Sequence, residues 1–216
     1  MYDGINRGLR RGNGEIFGCL NSDEQYLPGA LASVARCFEL NPAIDILIAD
    51  TIVVDSSGKF VCCRKSLKPW KNIVWLEIPT ITSSVFFHRR VLEKHNMFFD
   101  ENWRDIADAF WMIKAVEKRL NMFVLRHYTS TFTDTGTNMD LQERRRKKEM
   151  APKLIRRFNY ALTQLHRMRR LVTGNYWERS NLHYSIFTQN SQKKRQAFET
   201  KNPTCIWRSR HAFANV

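Results

Sequence analysis

The stretch EIFGCLNSDEQYLPGAL, Glu15 to Leu31, places an apolar run, an acidic turn and a helix start side by side. The run from Glu15 to Leu20 is mostly apolar and has the length of a strand, so it predicts a buried strand. Pro28 suits the first turn of a helix, which apolar residues at helical spacing continue to about Leu40. Between the two, Asn21 to Glu24 puts two carboxylates and an amide at the mouth of the strand.

An acidic turn in this place has two common uses. Asp and Ser side chains can accept N–H bonds at a helix N-terminus, or carboxylates can hold a divalent cation that bridges phosphate oxygens. Such a cation typically takes one or two protein carboxylates and completes its shell with phosphates and water. Taken alone, the turn favours the capping interpretation, although Asp23 lies five residues before Pro28, farther than a cap requires.

The chain up to residue 140 alternates strand and helix patterns. Ile44 to Val54 is rich in β-branched residues and predicts a strand, which a turn at Asp55 to Gly58 returns as a hairpin. Further expected elements are a strand ending at Phe87, helices at 89–95 and 106–119, a strand at 122–126, a basic turn at 9–14 and a polar loop at 129–138. This order predicts an α/β domain with a mixed sheet, in which ligand-handling residues follow the carboxyl ends of strands.

Charge divides the chain into two regions. Residues 1–140 hold 17 Lys/Arg and 17 Asp/Glu, whereas residues 141–216 hold 18 Lys/Arg against 4 Asp/Glu. We expect a neutral domain over 1–140 and a basic, mainly helical extension over 141–216. An excess of positive charge suits an anionic partner, either a membrane surface or nucleic acid, and it also suits a plain solvated helix face.

The remaining composition indicates a globular, cytoplasmic protein. Apolar residues make up 43% of the chain, which argues against disorder. The sequence contains no apolar run near the roughly 20 residues that a spanning helix needs, and its start lacks the apolar core of a signal peptide. The five cysteines form no C-x-x-C pair, so we expect reduced thiols rather than a zinc site.

The segment YDGINRGLRRGNGEIFGCLNSDEQYLPGAL, Tyr2 to Leu31, resembles a conserved stretch of family 2 glycosyltransferases of the GT-A fold. The matching residues are Tyr2, Asp3, Asn6, Gly8, Gly14, Glu15, Asn21, Asp23, Tyr26, Pro28, Ala30 and Leu31. The resemblance implies that the acidic turn binds Mg²⁺ or Mn²⁺, which holds the diphosphate of a nucleotide sugar. Asp23 and Glu24 are then the expected metal ligands, with Asn21 in the first position of a D-x-D-like motif and Glu24 in place of the usual Asp.

The segment WRDIADAFWMIKAV, Trp103 to Val116, resembles the start of the helix that carries the general base in that family. The resemblance implies that Asp108 deprotonates the acceptor hydroxyl. It also implies substrate contacts from Asp3, Asn6, Asn21, Arg89 and Trp111, the match at Arg89 being loose. The residues alone leave another interpretation open, because Asp105 and Asp108 suit the N-terminus of any helix and Trp111 suits a core.

The resemblance covers residues 2–140 and starts partway into the family's domain. We therefore expect an incomplete GT-A fold that lacks the first nucleotide-binding strands, a mixed sheet flanked by helices, and then a basic helical C-terminal region. The strand at Glu15 to Leu20 would have a free edge, which invites pairing with another chain. A truncated enzyme of this kind is expected to have weak activity.

The implied function is that of an inverting glycosyltransferase, or a C-terminal fragment of one, which transfers a sugar from a UDP-sugar to a hydroxyl of a cell-surface glycan or lipid-linked acceptor. Residues 144–210 would then lie against anionic lipid at the inner face of the cell membrane. Two alternatives remain open. One is a nucleic-acid-binding protein that stacks bases on Tyr160, Tyr176, Trp177 and Tyr184, and the other is a non-catalytic subunit that associates with a transferase.

Overall fold

Strand β3 (Ile46–Val54) is the centre of a six-stranded mixed sheet, and all nine of its residues are buried. It runs parallel to β6 (Met122–Thr133) on one side. On its other side it pairs antiparallel with β5 (Val85–His88) along its first half and with β4 (Phe60–Arg64) along its second half. β-Branched residues dominate β3 because a central strand is covered on both faces.

Two short strands form the edges of this sheet. β1 (Ile16–Gly18) pairs antiparallel with β5, and β2 (Gln25–Tyr26) pairs antiparallel with β6.

The computed structural model that provides this description covers residues 1–77, 80–135, 141–188, 191 and 193–206, with 141–144 described for their backbone alone. The predicted loop residues 136–138 and the basic residues beyond 206 lie outside these ranges.

Helices cover both faces of the sheet, and alternate residues of β3 divide between them. The helices are α1 (Tyr2–Arg11), α2 (Ala30–Leu40), α3 (Arg90–Glu93) and α4 (Ala107–Glu117). Ile46 and Ile48 belong to the larger hydrophobic cluster, which is formed with α1 and α4, whereas Leu47 and Ala49 belong to a second cluster formed with α2. The predicted α/β order with a mixed sheet flanked by helices is therefore confirmed.

The C-terminal region contains three helices followed by a β-hairpin. The helices are α5 (Leu141–Met150), α6 (Lys153–Arg157) and α7 (Asn159–Val172). The hairpin, β7 (Leu182–Ile186) and β8 (Gln196–Thr200), was not predicted. Its apolar side chains pack on Ile52 and Val54 of β3 in a third cluster, so this region is attached to the sheet through its own hydrophobic contacts.

Three local predictions are wrong. The first strand covers only Ile16–Gly18, and Leu20 is exposed. The expected basic turn at 9–14 is largely the end of α1. The polar stretch after residue 128 continues β6 to Thr133, because its small hydroxyl side chains hydrogen-bond inside the sheet, as Ser130 does with Thr51 and Ser83.

Two further findings concern the cysteines and the length of the helices. Each of the five cysteines is a free thiol. Among the helices in the described ranges, none combines the length and the apolar character needed to cross a bilayer.

Candidate functional site

A small pocket lies where the end of β1, β5 and the start of α4 meet. Its lining is mostly apolar, with a single carboxylate from Asp108. The lining residues are Cys19, Thr80, Thr82, Val85, Phe87, Phe99, Asp108, Trp111 and Met112. An apolar pocket with a few convergent polar groups is the usual form of a small-molecule site.

The Asp108 carboxylate is fixed in this pocket by hydrogen bonds from both sides. Oδ1 accepts the backbone N–H of Ala109 at 2.8 Å, and Oδ2 accepts the hydroxyl of Thr82 at 2.5 Å. The Tyr2 hydroxyl donates instead to the backbone carbonyl oxygen of Asp105 at 3.4 Å. The two bonds from Thr82 and Ala109 hold the Asp108 side chain in one orientation, which suits a group that has to meet a substrate atom.

Burial raises the pKa of Asp108 above its usual range. The hydrogen bonds from Thr82 and Ala109 act in the opposite direction, as do the Tyr2 hydroxyl and the positive charge of Lys147. Lys147 is a buried residue of α5, and its Nζ lies 3.4 Å from the carbonyl oxygen of Val74. The basic C-terminal region thus contributes one charge to the surroundings of the carboxylate.

The acidic turn points one of its two carboxylates inward. Glu24 is only 5% exposed, and its Oε2 accepts the backbone N–H of Asn21 at 2.8 Å. Burial raises the pKa of Glu24 to about 7, and the charge of Asp23 contributes in the same direction. Its Oε1 is buried without a hydrogen-bond partner among the described residues. A buried carboxylate oxygen without a donor is a position that a cation can occupy.

Asp23, by contrast, is exposed, and its backbone carbonyl accepts the hydroxyl of Thr133 at 2.6 Å. In the described part of the chain, no group of three or more His, Cys, Asp and Glu residues could enclose a metal ion. Adjacent carboxylates on Asp23 and Glu24, one of them with an unpartnered oxygen, fit a cation that takes few protein ligands and completes its shell with phosphate oxygens. They do not fit a site made of protein ligands alone.

Cys19 lies between the acidic turn and the pocket. It lines the pocket, and its pKa is raised to about 12 by burial and by the charges of Glu24 and Asp108. The 3-10 turn Thr82–Ser84 makes the same connection, because Thr82 bonds Asp108 while the Ser83 hydroxyl favours the charged form of Glu24. The charges of Asp108 and Glu24 therefore both act on Cys19, while Asp108 alone of the two lines the pocket.

Trp111 also belongs to the pocket, but most of its surface is core. It is 3% exposed, its indole Nε1 donates to the carbonyl oxygen of Met97 at 2.9 Å, and its ring packs against Phe87 and Phe99. The side chain is thereby held rigidly, and only its pocket-facing edge is available for a substrate.

The other predicted substrate contacts lie away from the pocket lining. Asp3 is exposed and forms an ion pair with Arg7 at 2.8 Å. The Asn6 amide exchanges two hydrogen bonds with the backbone of Phe99, at 2.8 and 2.9 Å, and so fixes that loop. Asn21 meets the site through its backbone N–H.

Arg89 likewise connects two backbone segments. Its guanidinium donates to the carbonyl oxygens of Gly12 and Gly14, at 2.9 and 2.8 Å, and lies over the ring of Phe17. These contacts attach the end of α1 and the start of β1 to β5.

The aromatic residues considered for base stacking differ in their accessibility. Tyr160 and Trp177 are exposed. Tyr184 is buried, stacks on Phe198 and donates its hydroxyl to the carbonyl oxygen of Gly58, so it cannot stack on a nucleic-acid base. That part of the nucleic-acid hypothesis is wrong.

Sequence reasoning missed the roles of Tyr2, Cys19, Thr82 and Lys147. Tyr2 was noted only as a matching residue and Cys19 only as a small apolar group. A signal was present for Tyr2 alone, since it begins the motif that contains the acidic turn. The contacts of the other three depend on residues that are distant along the chain.

No protein-family model matches this sequence, and no curated protein does. Solved structures of TarS from S. aureus are similar to it. TarS 1–349 is 18% identical, with a TM-score of 0.47, over 61% of this chain and 40% of that chain. Its complex with UDP-GlcNAc is 18% identical, with a TM-score of 0.48, over 60% and 37%.

The complex of TarS 1–349 with UDP is 17% identical, with a TM-score of 0.49, over 66% of this chain and 42% of that chain. The chain thus spans less than half the length of the TarS structures that it matches. At these identities and TM-scores, the similarity to TarS does not by itself assign a function.

Proposed function

We propose that this chain carries the acceptor side and the metal turn of an inverting glycosyltransferase that uses a nucleotide-sugar donor. The observation that carries the proposal is the position of Asp108, a carboxylate of raised pKa in an apolar pocket, joined to the acidic turn through the 3-10 turn Thr82–Ser84. A carboxylate whose pKa is shifted by burial inside a cleft is a typical general base.

Asp108 acts as the base in a single displacement. The acceptor hydroxyl gives its proton to the Asp108 carboxylate while its oxygen attacks the anomeric carbon of the donor. The bond from that carbon to the diphosphate oxygen breaks, and its electron pair leaves with the nucleoside diphosphate. Attack from the side opposite the leaving group inverts the configuration. A raised pKa strengthens the base, provided that the carboxylate is ionised at the working pH.

The apolar lining serves the acceptor. Phe87, Phe99 and Trp111 pack against one another in the core around the pocket. Aromatic surfaces of this kind can pack against the C–H face of a sugar ring and exclude water from the reacting hydroxyl. The acceptor is therefore a sugar-like hydroxyl compound, and the sequence resemblance adds a glycan or a lipid-linked glycan as the class.

Asp23, together with the unpartnered Oε1 of Glu24, would hold Mg²⁺ or Mn²⁺. When bound, such a cation neutralises the diphosphate of the donor and makes it a better leaving group. Glu24 keeps the turn folded through the N–H of Asn21, and Asp23 presents its carboxylate at the surface. A UDP-sugar is the donor class implied by the sequence resemblance.

The test compares Asp108→Asn with Asp105→Asn in the full chain, supplied with UDP-sugars, Mn²⁺ and candidate acceptors. Both variants remove a negative charge at the start of α4, but only Asp108 faces the pocket. We expect Asp108→Asn to slow UDP release by at least about 100-fold, a typical contribution of a general base, and Asp105→Asn to retain most of the rate. If the two variants slowed UDP release equally, Asp105 and Asp108 would both act only as charges at the N-terminus of α4.

A binding measurement separates this proposal from the alternative of a non-catalytic subunit. UDP with Mn²⁺ stabilises a folded protein only if it binds the native state. A rise in melting temperature in both the wild type and Asp108→Asn supports a donor site that is separate from the base. If no nucleotide raises the melting temperature of the wild type, the non-catalytic subunit is the better interpretation.

A further inference from the structure

Helices α6 and α7 present an apolar stripe to solvent. The two helices are joined by continuous backbone hydrogen bonds, from Phe158 N to Leu154 O and from Leu162 N to Phe158 O. The stripe consists of exposed residues spaced alternately four and three apart, which places them on one face of a helix. They are Leu154, Phe158, Ala161, Leu165, Met168 and Val172.

The opposite face of α7, which is turned toward the sheet domain, is polar. His166 and Arg170 are 1% and 4% exposed, and the two ring nitrogens of His166 and Nε of Arg170 have no hydrogen-bond partner in the described ranges. Their nearest acidic group is Glu77, at 3.8 Å from each. The helix is thus the reverse of an ordinary surface helix, with polar groups inward and Met168 and Val172 outward, at 62% and 85% exposure.

An arrangement of this kind needs something to cover the stripe. Single exposed apolar residues are common, but a continuous apolar row on one helix face marks an interaction surface. The charges around the row identify what can cover it. Residues 153–172 contain six Lys and Arg and no Asp or Glu. They are Lys153, Arg156, Arg157, Arg167 and Arg169, which are exposed or partly exposed, and Arg170, which is buried on the opposite face.

These charges argue against a second copy of this chain. Two copies packed stripe to stripe would bring two sets of positive charges together with no carboxylate in either helix to offset them. The aliphatic side chains argue against nucleic acid, since phosphates and bases use cations and flat aromatic rings rather than Leu, Met and Val. An anionic lipid surface uses both features, because acyl chains take the apolar row and headgroups take the cations.

We propose that the α6–α7 face is a membrane-binding surface for anionic lipid. The helix pair lies in the plane of the interface, with Leu165, Met168 and Val172 among the acyl chains. Trp70 lies beside this helix pair, partly exposed, with the guanidinium of Arg169 stacked 4.2 Å from its ring centre. Tryptophan is enriched at the headgroup level of membranes, so Trp70 sits at the edge of the inserted face.

The proposal narrows the expected membrane contact from residues 144–210 to residues 153–172 and is independent of transferase activity. An interfacial helix of this length binds reversibly, and both buried apolar area and charge contribute. Binding must therefore weaken when either contribution is removed.

The test is sedimentation of the full chain with vesicles of phosphatidylcholine containing about 30 mol% phosphatidylglycerol, a strongly anionic surface, and with vesicles of phosphatidylcholine alone. The variant Met168→Gln/Val172→Gln removes two apolar side chains from the stripe. The control Leu31→Gln/Leu40→Gln removes two exposed leucines of α2, which are 57% and 70% exposed. Circular dichroism shows that each variant is folded.

We expect the wild type and the α2 control to bind the anionic vesicles, to bind phosphatidylcholine vesicles much more weakly, and to release at high salt. The stripe variant should bind at least about tenfold more weakly, from the lost apolar burial. No binding of the wild type to anionic vesicles overturns the proposal. Three other results would also overturn it. The stripe variant could bind the anionic vesicles as well as the wild type does, or the wild type could form a lipid-free dimer that the stripe substitutions dissociate. The third result is that the wild type binds single-stranded DNA and no vesicles.

Discussion

The hydroxyl of Thr82 donates a 2.5 Å hydrogen bond to Oδ2 of Asp108, and this bond joins the turn before β5 to the first turn of α4. The next residue in the same turn, Ser83, hydrogen-bonds Ser130 at 3.1 Å and favours the charged form of Glu24. One 3-10 turn therefore bonds Asp108 and also affects the pKa of Glu24. A shift of this turn would change the pocket and the metal turn together.

Thr82→Val keeps the shape of the side chain and removes the hydrogen bond to Asp108. Because that bond stabilises the charged carboxylate, we expect the pKa of Asp108 to rise further when the bond is lost. The acid limb of the pH–rate profile should move to higher pH in the same way. A ¹³C NMR titration of the aspartate carboxyl groups measures the shift without substrate.

Thr80→Val is the matched control, because Thr80 lines the same pocket without a hydrogen bond to Asp108. Its pH profile should match that of the wild type. If Thr82→Val and Thr80→Val titrate alike, the Thr82 hydroxyl does not tune the carboxylate.

Removal of either acidic side chain of the turn should weaken Mn²⁺ binding. Asp23→Asn loses the exposed carboxylate, and Glu24→Gln replaces the buried one by an amide that can still accept the N–H of Asn21. Electron paramagnetic resonance of free Mn²⁺, with UDP present, gives the affinity directly. Each change should weaken Mn²⁺ by at least about tenfold, a typical cost for a lost carboxylate contact to a cation.

Asp3→Asn is the control for this measurement, since Asp3 lies on α1 in an exposed pair with Arg7. It should bind Mn²⁺ like the wild type. If Asp3→Asn and Asp23→Asn lost the same Mn²⁺ affinity, Mn²⁺ binding would depend on the net charge of the protein rather than on a defined site.

Apolar patterns in the sequence were sufficient for most of the fold. The β-branched run of β3, its return in β4 and the amphipathic spacing of α4 each place their element correctly. The end of β6 was missed because Thr129, Ser130 and Thr131 are buried without being apolar. Small hydroxyl side chains can fill a sheet interior when they bond one another across strands, and no local pattern reveals those partners.

The sequence predicted candidate site residues only where they belong to a motif. Asp23, Glu24 and Asp108 stand in recognisable motifs, and in the structure the charges of Glu24 and Asp108 both raise the pKa of Cys19. Cys19 itself has no distinguishing sequence context. Its importance arises from the meeting of β1, the 3-10 turn and α4, which is a property of the tertiary structure.

Asp50 should make the protein less stable as the pH rises from about 4 to about 6. Burial raises its pKa from 3.8 to about 6, although a hydrogen bond from the N–H of Ser66 and the charge of Arg126 oppose the shift. Between the two pKa values the folded chain holds a proton that the unfolded chain has lost. The free energy of unfolding therefore falls across this window by up to about 3 kcal/mol and is level above it.

Urea unfolding between pH 4 and pH 7 tests this behaviour. Asp50→Asn has no proton to lose, so the fall attributable to Asp50 should be absent from the variant's curve and should remain in the difference between the wild-type and variant curves. Glu39→Gln, at an exposed position of α2, should leave the wild-type profile unchanged. A parallel decline in Asp50→Asn and wild type would assign the pH dependence to other groups.

Gly18 is required by the close packing around β1. A Cβ at this position would lie 2.7 Å from Oη of Tyr26 and 2.9 Å from Cδ1 of Phe86, and both atoms belong to rigid rings. Gly18→Ala should therefore lower the free energy of unfolding by about 1–3 kcal/mol, as overpacking of a core does. Gly4→Ala in α1 meets no atom within 4 Å and should raise it by about 0.5–1 kcal/mol. Urea unfolding at unchanged m-value measures both. Because Gly18 precedes Cys19, which lines the pocket, a stable Gly18→Ala variant would mean that β1 can move without cost, and the pocket beside Asp108 would then lack a fixed wall.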